Sequence, residues 1–221
     1  MSPSAPTATL APVSAARVTR TSALVVHASD EPKAGIPAAG THQRYRFPRL
    51  QMEEREIAPL RAGSLLVEIA YAGLCGTDVH LVERSADGYT RCSSPALIPA
   101  GGRILGHEAL GRIRAVGDGA GHFRPGDWVC FESILTCGFC EKCRQGAFNQ
   151  CESARLVGLE LDGLFAGHAV VPASLAHQVN DLAASPRTRQ SLACVEPAAV
   201  AYLARTEEHT SELQSRFGIS Y

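Results

Sequence analysis

The sequence predicts a mainly β fold, a partly open barrel-like sheet with a cysteine-rich lobe and a helix near the C-terminus. Three observations lead there. Short apolar runs with strand-like composition recur at irregular spacing, punctuated by glycine and proline turns. Four of the eight cysteines fall in one short stretch, Cys137, Cys140, Cys143 and Cys151. Ser191 to Ala204 is rich in alanine and places Leu192, Val195, Val200 and Leu203 at a partly helical spacing.

The chain has 221 residues, of which 45% are hydrophobic and 19% charged, enough for a packed core. Residues Met1 to Ser22 are rich in Ser, Ala, Thr and Pro, and carry Arg17 and Arg20 but no acid. They read as a disordered extension, with an organelle transit peptide as the alternative. The folded domain is expected over 23–204. Its strands are Ala23–His27, Ser64–Ala72, Ala109–Val116 with Gly111 inside, Trp128–Glu132 after the Pro125–Gly126–Asp127 turn, and Gly167–Val171. Pro197 lies early in the helical stretch, where proline is tolerated.

A formal net charge of -1 gives no electrostatic case for nucleic acid or an anionic membrane. No apolar run approaches the roughly 18 residues of a membrane span. Close C-x-x-C spacing, with no apolar leader at the start, points to metal binding in a reducing, cytoplasmic compartment and away from disulfides.

The four-cysteine stretch has the spacing C-x2-C-x2-C-x7-C. Four thiolates suit zinc, which is tetrahedral and redox-inert, and a closed four-sulfur site is structural because no position is left for substrate. Unrelated buried thiols and an iron–sulfur cluster are the alternatives.

A second constellation lies upstream. Gly73-Leu-Cys75-Gly-Thr77-Asp78-Val-His80 follows a strong strand, and Gly106-His107-Glu108 opens another. Each motif alone is weak, since a single cysteine is most often a small buried hydrophobe. Together and in order, with Val116-Gly117, Pro125-Gly-Asp-Trp-Val129, the cysteine lobe and Glu196-Pro197, they resemble the zinc-containing medium-chain dehydrogenases, such as alcohol, sorbitol and threonine dehydrogenases.

That resemblance implies a GroES-like catalytic domain and two zinc ions per chain. Cys75 and His107 would bind the catalytic zinc, with Glu196 favoured as a further ligand and Glu108 as its competitor; Cys194 lies two residues from Glu196. Cys137, Cys140, Cys143 and Cys151 would hold the structural zinc. Zinc would lower the pKa of the substrate hydroxyl, and a hydride would pass to NAD or NADP. Thr77 would accept the alcohol proton, His80 would be a possible relay, and Asp78 would orient a zinc-bound imidazole. Thr77 and Asp78 have helix capping as a competing or coexisting role. Tyr89–Gly102 looks like an extra loop at the substrate mouth. The partner is a small alcohol, polyol or amino alcohol, with a homo-oligomer expected for the full-length protein.

Gly117-Asp-Gly119-Ala-Gly121-His122 imitates a phosphate loop, but Pro125-Gly-Asp and a strand follow almost at once where a helix is required. The family places its Rossmann domain after the Glu-Pro helix, so the cofactor half is expected to be missing here and the chain as written to be inactive. A non-enzymatic zinc-binding fragment is the alternative function. Arg205 to Tyr221 resembles a conceptual translation of a short-read sequencing adapter and is expected to be a non-native tail.

Overall fold

The computed structural model describes residues 18–36 and 39–207. Strand β1 (Arg20–Asp30) buries Thr21, Ala23, Val25 and Val26, a period-two pattern that turns one face inward. It begins upstream of the Ala23 boundary read from sequence; the rest of the N-terminal extension, and residues 208–221 of the suspected tail, lie outside the described residues. A short helix α1 (Thr41–Arg44) leads into β2 (Tyr45–Glu56), which runs antiparallel to β1 with a bulge between His27 and Ser29. Farther along, β4 (Arg103–Ile104) pairs with the other side of β1, giving a sheet ordered β2-β1-β4.

The second sheet is the centre of the domain. It contains β3 (Ser64–Gly73), β5 (Glu108–Val116), β6 (Trp128–Phe131), β9 (His168–Pro172) and β10 (Ala176–Gln178), in the order β10-β6-β5-β3-β9. Leu65, Val67, Ile113, Val129, Phe131 and Leu164 form its core. Each large side chain fully buried there contributes roughly 1.5–3 kcal/mol. The sheets meet where Leu24 N–H donates to Phe165 O at 2.8 Å and Ala23 bridges Ala166. Helix α2 (Gly76–Val82) starts where β3 ends and packs Leu81 into a second core with Val26, Tyr45, Ile98, Leu105 and Leu159. The cysteine lobe is an excursion closed by the two-stranded pair β7 (Ile134–Leu135) and β8 (Arg155–Leu156), with α3 (Glu141–Arg144) between them.

Two readings need correction. β2 was not anticipated, because Tyr45–Glu56 is heavily charged and contains Pro48; it is an edge strand, where both features are tolerated. The expected single helix is two, α4 (Pro186–Leu192) and α5 (Val195–Glu207). Ser185 caps the first, accepting from Thr188 N–H at 3.2 Å. Pro197 has no N–H to offer Ala193 O, so α4 cannot run on through it. The Tyr89–Gly102 segment is a loop: Cys92 and Ile98 are buried in the second cluster and anchor it, and Ser94 faces the cavity described next.

Candidate metal centres

The lobe assembles from local turns. Cys140 is the N-cap of α3, and Cys143 sits inside that helix. The Cys137 sulfur lies 3.9 Å from that of Cys143 and 3.6 Å from that of Cys151. A tetrahedral zinc with bonds near 2.3 Å needs sulfurs about 3.8 Å apart. All four sulfurs lie within 4.8 Å of one another. Cys140 N–H donates to the Cys137 sulfur at 3.3 Å and Cys137 N–H to the Cys151 sulfur at 3.4 Å, and the second contact lowers the pKa of Cys151. The backbone N–H groups of Cys143 and Glu152 hold the Cys140 thiol down to about 6. Burial, helped by the neighbouring thiols, pushes Cys143 up to about 12, so Cys143 keeps its proton in the metal-free cluster at neutral pH.

The second site is built from segments distant in sequence. The ladder pairs Gly73 at the end of β3 with Glu108 at the start of β5. Cys75, just past β3, and His107, just before β5, are thereby brought side by side. The ligand atoms of Cys75, His107 and Glu108 lie within 4.8 Å of one another. His107 and Glu108 are buried, at 8% and 4% exposure. Asp78 joins the two segments: its carboxylate accepts from Cys75 N–H at 3.1 Å and from Gly106 N–H at 3.2 Å. It is 2% exposed, and burial raises its pKa, with His107 and the two N–H groups opposing.

Two glycines make this approach possible. Gly106 has φ +88°, and a Cβ on it would collide with the Phe165 ring. A Cβ on Gly73 would lie 2.5 Å from Glu108 Oε2 and 3.2 Å from its Cβ. Both were quoted within motifs, but their steric roles follow from strand register and packing, which the motif spelling does not carry.

Cys75, Thr77, His107, Glu108, Ser133 and Glu196 line a cavity of ≈ 340 Å³, with Leu159 and Val157 among its apolar walls. The Cys75 thiol donates to Thr77 Oγ1 at 3.7 Å. Glu196, in the first turn of α5, accepts from Ser133 Oγ at 2.6 Å and is not in the three-residue cluster. His80 is also on α2 but faces away: its Nδ1 pairs with Glu83 at 3.0 Å, its side chain is 57% exposed, and it is not among the cavity's lining residues. Ser133 was not singled out in the sequence; a serine at a strand end carries no signal of its own.

The donors fit a zinc ion. A thiol, an imidazole and a carboxylate leave a fourth position open, the pattern of catalytic zinc. His107 Nε2 lies 3.9 Å from Glu108 Oε1, while Nδ1 lies 3.8 Å from Asp78 Oδ1 and has no hydrogen-bond partner among the described residues. A metal on the Nε2 side would leave an Nδ1–H directed at that carboxylate.

The alcohol dehydrogenase GroES-like domain family matches residues 61–181. The L-threonine 3-dehydrogenase of Pyrococcus furiosus is 33% identical over 123 residues, covering 56% of this chain and 33% of that protein. A Thermotoga maritima protein assigned as an alcohol dehydrogenase superposes with a TM-score of 0.75 at 27% identity, over 82% of this chain and 50% of its own. A Sinorhizobium meliloti protein assigned as a zinc-binding dehydrogenase, solved with NADP, gives 0.56 at 25% identity, over 73% and 39%. The chain thus spans about a third of the length of the P. furiosus relative. With the family matched over more than half of its residues, the chain belongs to the alcohol dehydrogenase GroES-like domain family, the N-terminal domain of zinc-type medium-chain dehydrogenases.

Proposed function

We propose that this chain supplies the metal-binding and substrate-holding part of a zinc-dependent, NAD(P)-linked dehydrogenase that oxidises a small alcohol, polyol or amino alcohol. The observation that carries the reading is the convergence of Cys75, His107 and Glu108 on one wall of a cavity that also contains the Thr77 hydroxyl. Zinc, when bound, supplies a Lewis acid that makes a substrate hydroxyl acidic near neutral pH.

The rest is the work of the chain's own groups. Cys75, His107 and Glu108 would hold the metal, and the apolar side chains of Leu159 and Val157 limit water in the cavity. Asp78 fixes the two backbone segments that carry Cys75 and His107. Thr77 Oγ1 receives the substrate proton and passes it outward. His80, exposed on the same helix, serves as a relay only if its ring leaves Glu83. The lobe keeps the excursion between β7 and β8 in shape.

No residue of this chain is assigned to the nicotinamide cofactor. The Gly117–His122 stretch leads directly into the Pro125–Asp127 turn and β6, with no helix for a pyrophosphate to cap. Dehydrogenation is therefore proposed for a protein in which a cofactor domain accompanies this one; the 221-residue chain alone is expected to bind metal without reducing NAD or NADP. The experiment is to measure zinc per chain in the purified protein and in Cys75→Ser. Two zinc ions falling to one supports the reading, while an unchanged content in Cys75→Ser refutes it.

A further inference from the structure

The geometry points to Ser133 as the positioning residue that holds the Glu196 carboxylate back from the metal, so that Glu108 is the third ligand and Glu196 a reserve one. This inference rests on the metal-centre reading above.

The cavity contains two carboxylates, and a site with one open position cannot use both as ligands and still admit a substrate oxygen. Glu108 is fixed by the β-ladder: it pairs with Gly73 in register and is 4% exposed. Glu196 is not fixed by any ladder. It projects from the first turn of α5, and the hydrogen bond recorded for its carboxylate comes from Ser133 Oγ at 2.6 Å, the short contact expected when a hydroxyl donates to a carboxylate. Ser133 is itself 9% exposed and follows directly on β6, so its hydroxyl is held by the central sheet.

The pair also occupies a distinctive place. A second, mostly apolar cavity of ≈ 520 Å³ lies beside the first, lined among others by Phe148, Val179 and Ala199. Ser133, Ile134, Glu196 and Val200 line both. The Ser133–Glu196 hydrogen bond therefore forms part of the partition between the metal cavity and an apolar chamber. Breaking it frees the Glu196 side chain within a cavity it shares with Cys75 and His107, where a bound cation would attract it.

Cadmium-113 NMR of the full chain tests this, because cadmium replaces zinc and its shift reports the ligand set. Two resonances are expected, and that of the four-cysteine lobe serves as an internal control. Glu196→Gln should leave the second resonance in place, and Glu108→Gln should abolish it. Ser133→Ala should move the second resonance while the lobe's stays, Ser133→Thr should keep the original position, and Ser133→Ala/Glu196→Gln should return it there. Ser133→Ala/Glu108→Gln should regain the resonance lost in Glu108→Gln, since the released carboxylate takes over. A second resonance that is unmoved by Ser133→Ala, or whose shift persists in Ser133→Ala/Glu196→Gln, overturns the latch and leaves the metal centre standing. No second resonance in the unmodified chain overturns both.

Discussion

The two metal centres are made in opposite ways. In the lobe, four like donors lie within one short excursion, and backbone N–H groups of the same loop reach their sulfurs. In the cavity, three unlike donors come from the end of one strand and the start of another, and their meeting depends on the register between β3 and β5. A local site of identical thiolates can close completely around an ion. A site assembled across a sheet can leave a face open and set a hydroxyl such as Thr77 beside it. Local assembly suits stability, and long-range assembly suits chemistry.

The largest effect expected from breaking this contrast is at the lobe. Cys140→Ser removes one of four thiolates, and zinc binding there is coupled to the order of the whole excursion. Lobe affinity should fall by more than the roughly 10–100-fold typical of removing a mere hydrogen-bond partner of a ligand. Melting temperature should fall with it, and the cavity metal should stay. Zinc titration with a chromophoric chelator, paired with thermal melts, measures both. The pH dependence follows from the thiols: Cys143, held near 12 by burial, must lose a proton to zinc, whereas Cys140, near 6, has already lost its own. Lobe affinity should therefore keep rising with pH above about pH 6, with a proton released from Cys143 on binding.

Next in size is Gly73→Ala. The added methyl would sit 2.5 Å from Glu108 Oε2 and 3.2 Å from its Cβ, so the Glu108 side chain must shift. The cavity should lose metal affinity by about 10–100-fold, as when a ligand's support is removed, with the lobe unaffected. Metal counting by mass spectrometry of the native protein decides it. Two ions retained at micromolar competitor would show that Glu108 has room to move.

The contrast also explains what the sequence disclosed. The lobe was readable from spacing, because its geometry is local. Cys75, His107 and Glu108 were readable only through resemblance, since nothing in either motif alone says that Gly73 faces Glu108 across a ladder. The sequence favoured Glu196 over Glu108 on family grounds; the structure groups Glu108 with the other two donors and puts Glu196 on Ser133. β2 escaped notice because an edge strand needs little apolar alternation, and Leu50 and Met52 within it are exposed. The strands that were read correctly, β3 and β5 above all, are those whose inward residues fill the main core.

The smaller predictions separate two residues of α2 that a motif reading treats alike. Asp78 is buried and serves two backbone N–H groups, one on each side of the site. Asp78→Asn keeps one oxygen as an acceptor and replaces the other with an amide NH2, which cannot accept. One buried N–H loses its partner, a cost of about 1–3 kcal/mol, partly offset because a desolvated carboxylate is no longer held in the interior. Denaturant unfolding should show the net loss, and cavity metal affinity should weaken with it.

His80→Ala should do neither. The imidazole is exposed, and its partner Glu83 is a surface carboxylate, so an ion pair there contributes between zero and about 1 kcal/mol. Stability should stay within about 0.5 kcal/mol and both metals should remain bound. If His80 relays a proton, its loss appears only in a version of the protein that carries a cofactor domain. There the turnover rate should fall and be restored by small imidazole-like buffers, with KM unchanged. Metal loss in His80→Ala would mean that the ring leaves Glu83 and enters the cavity in solution, and the division between the buried and exposed faces of α2 would fail.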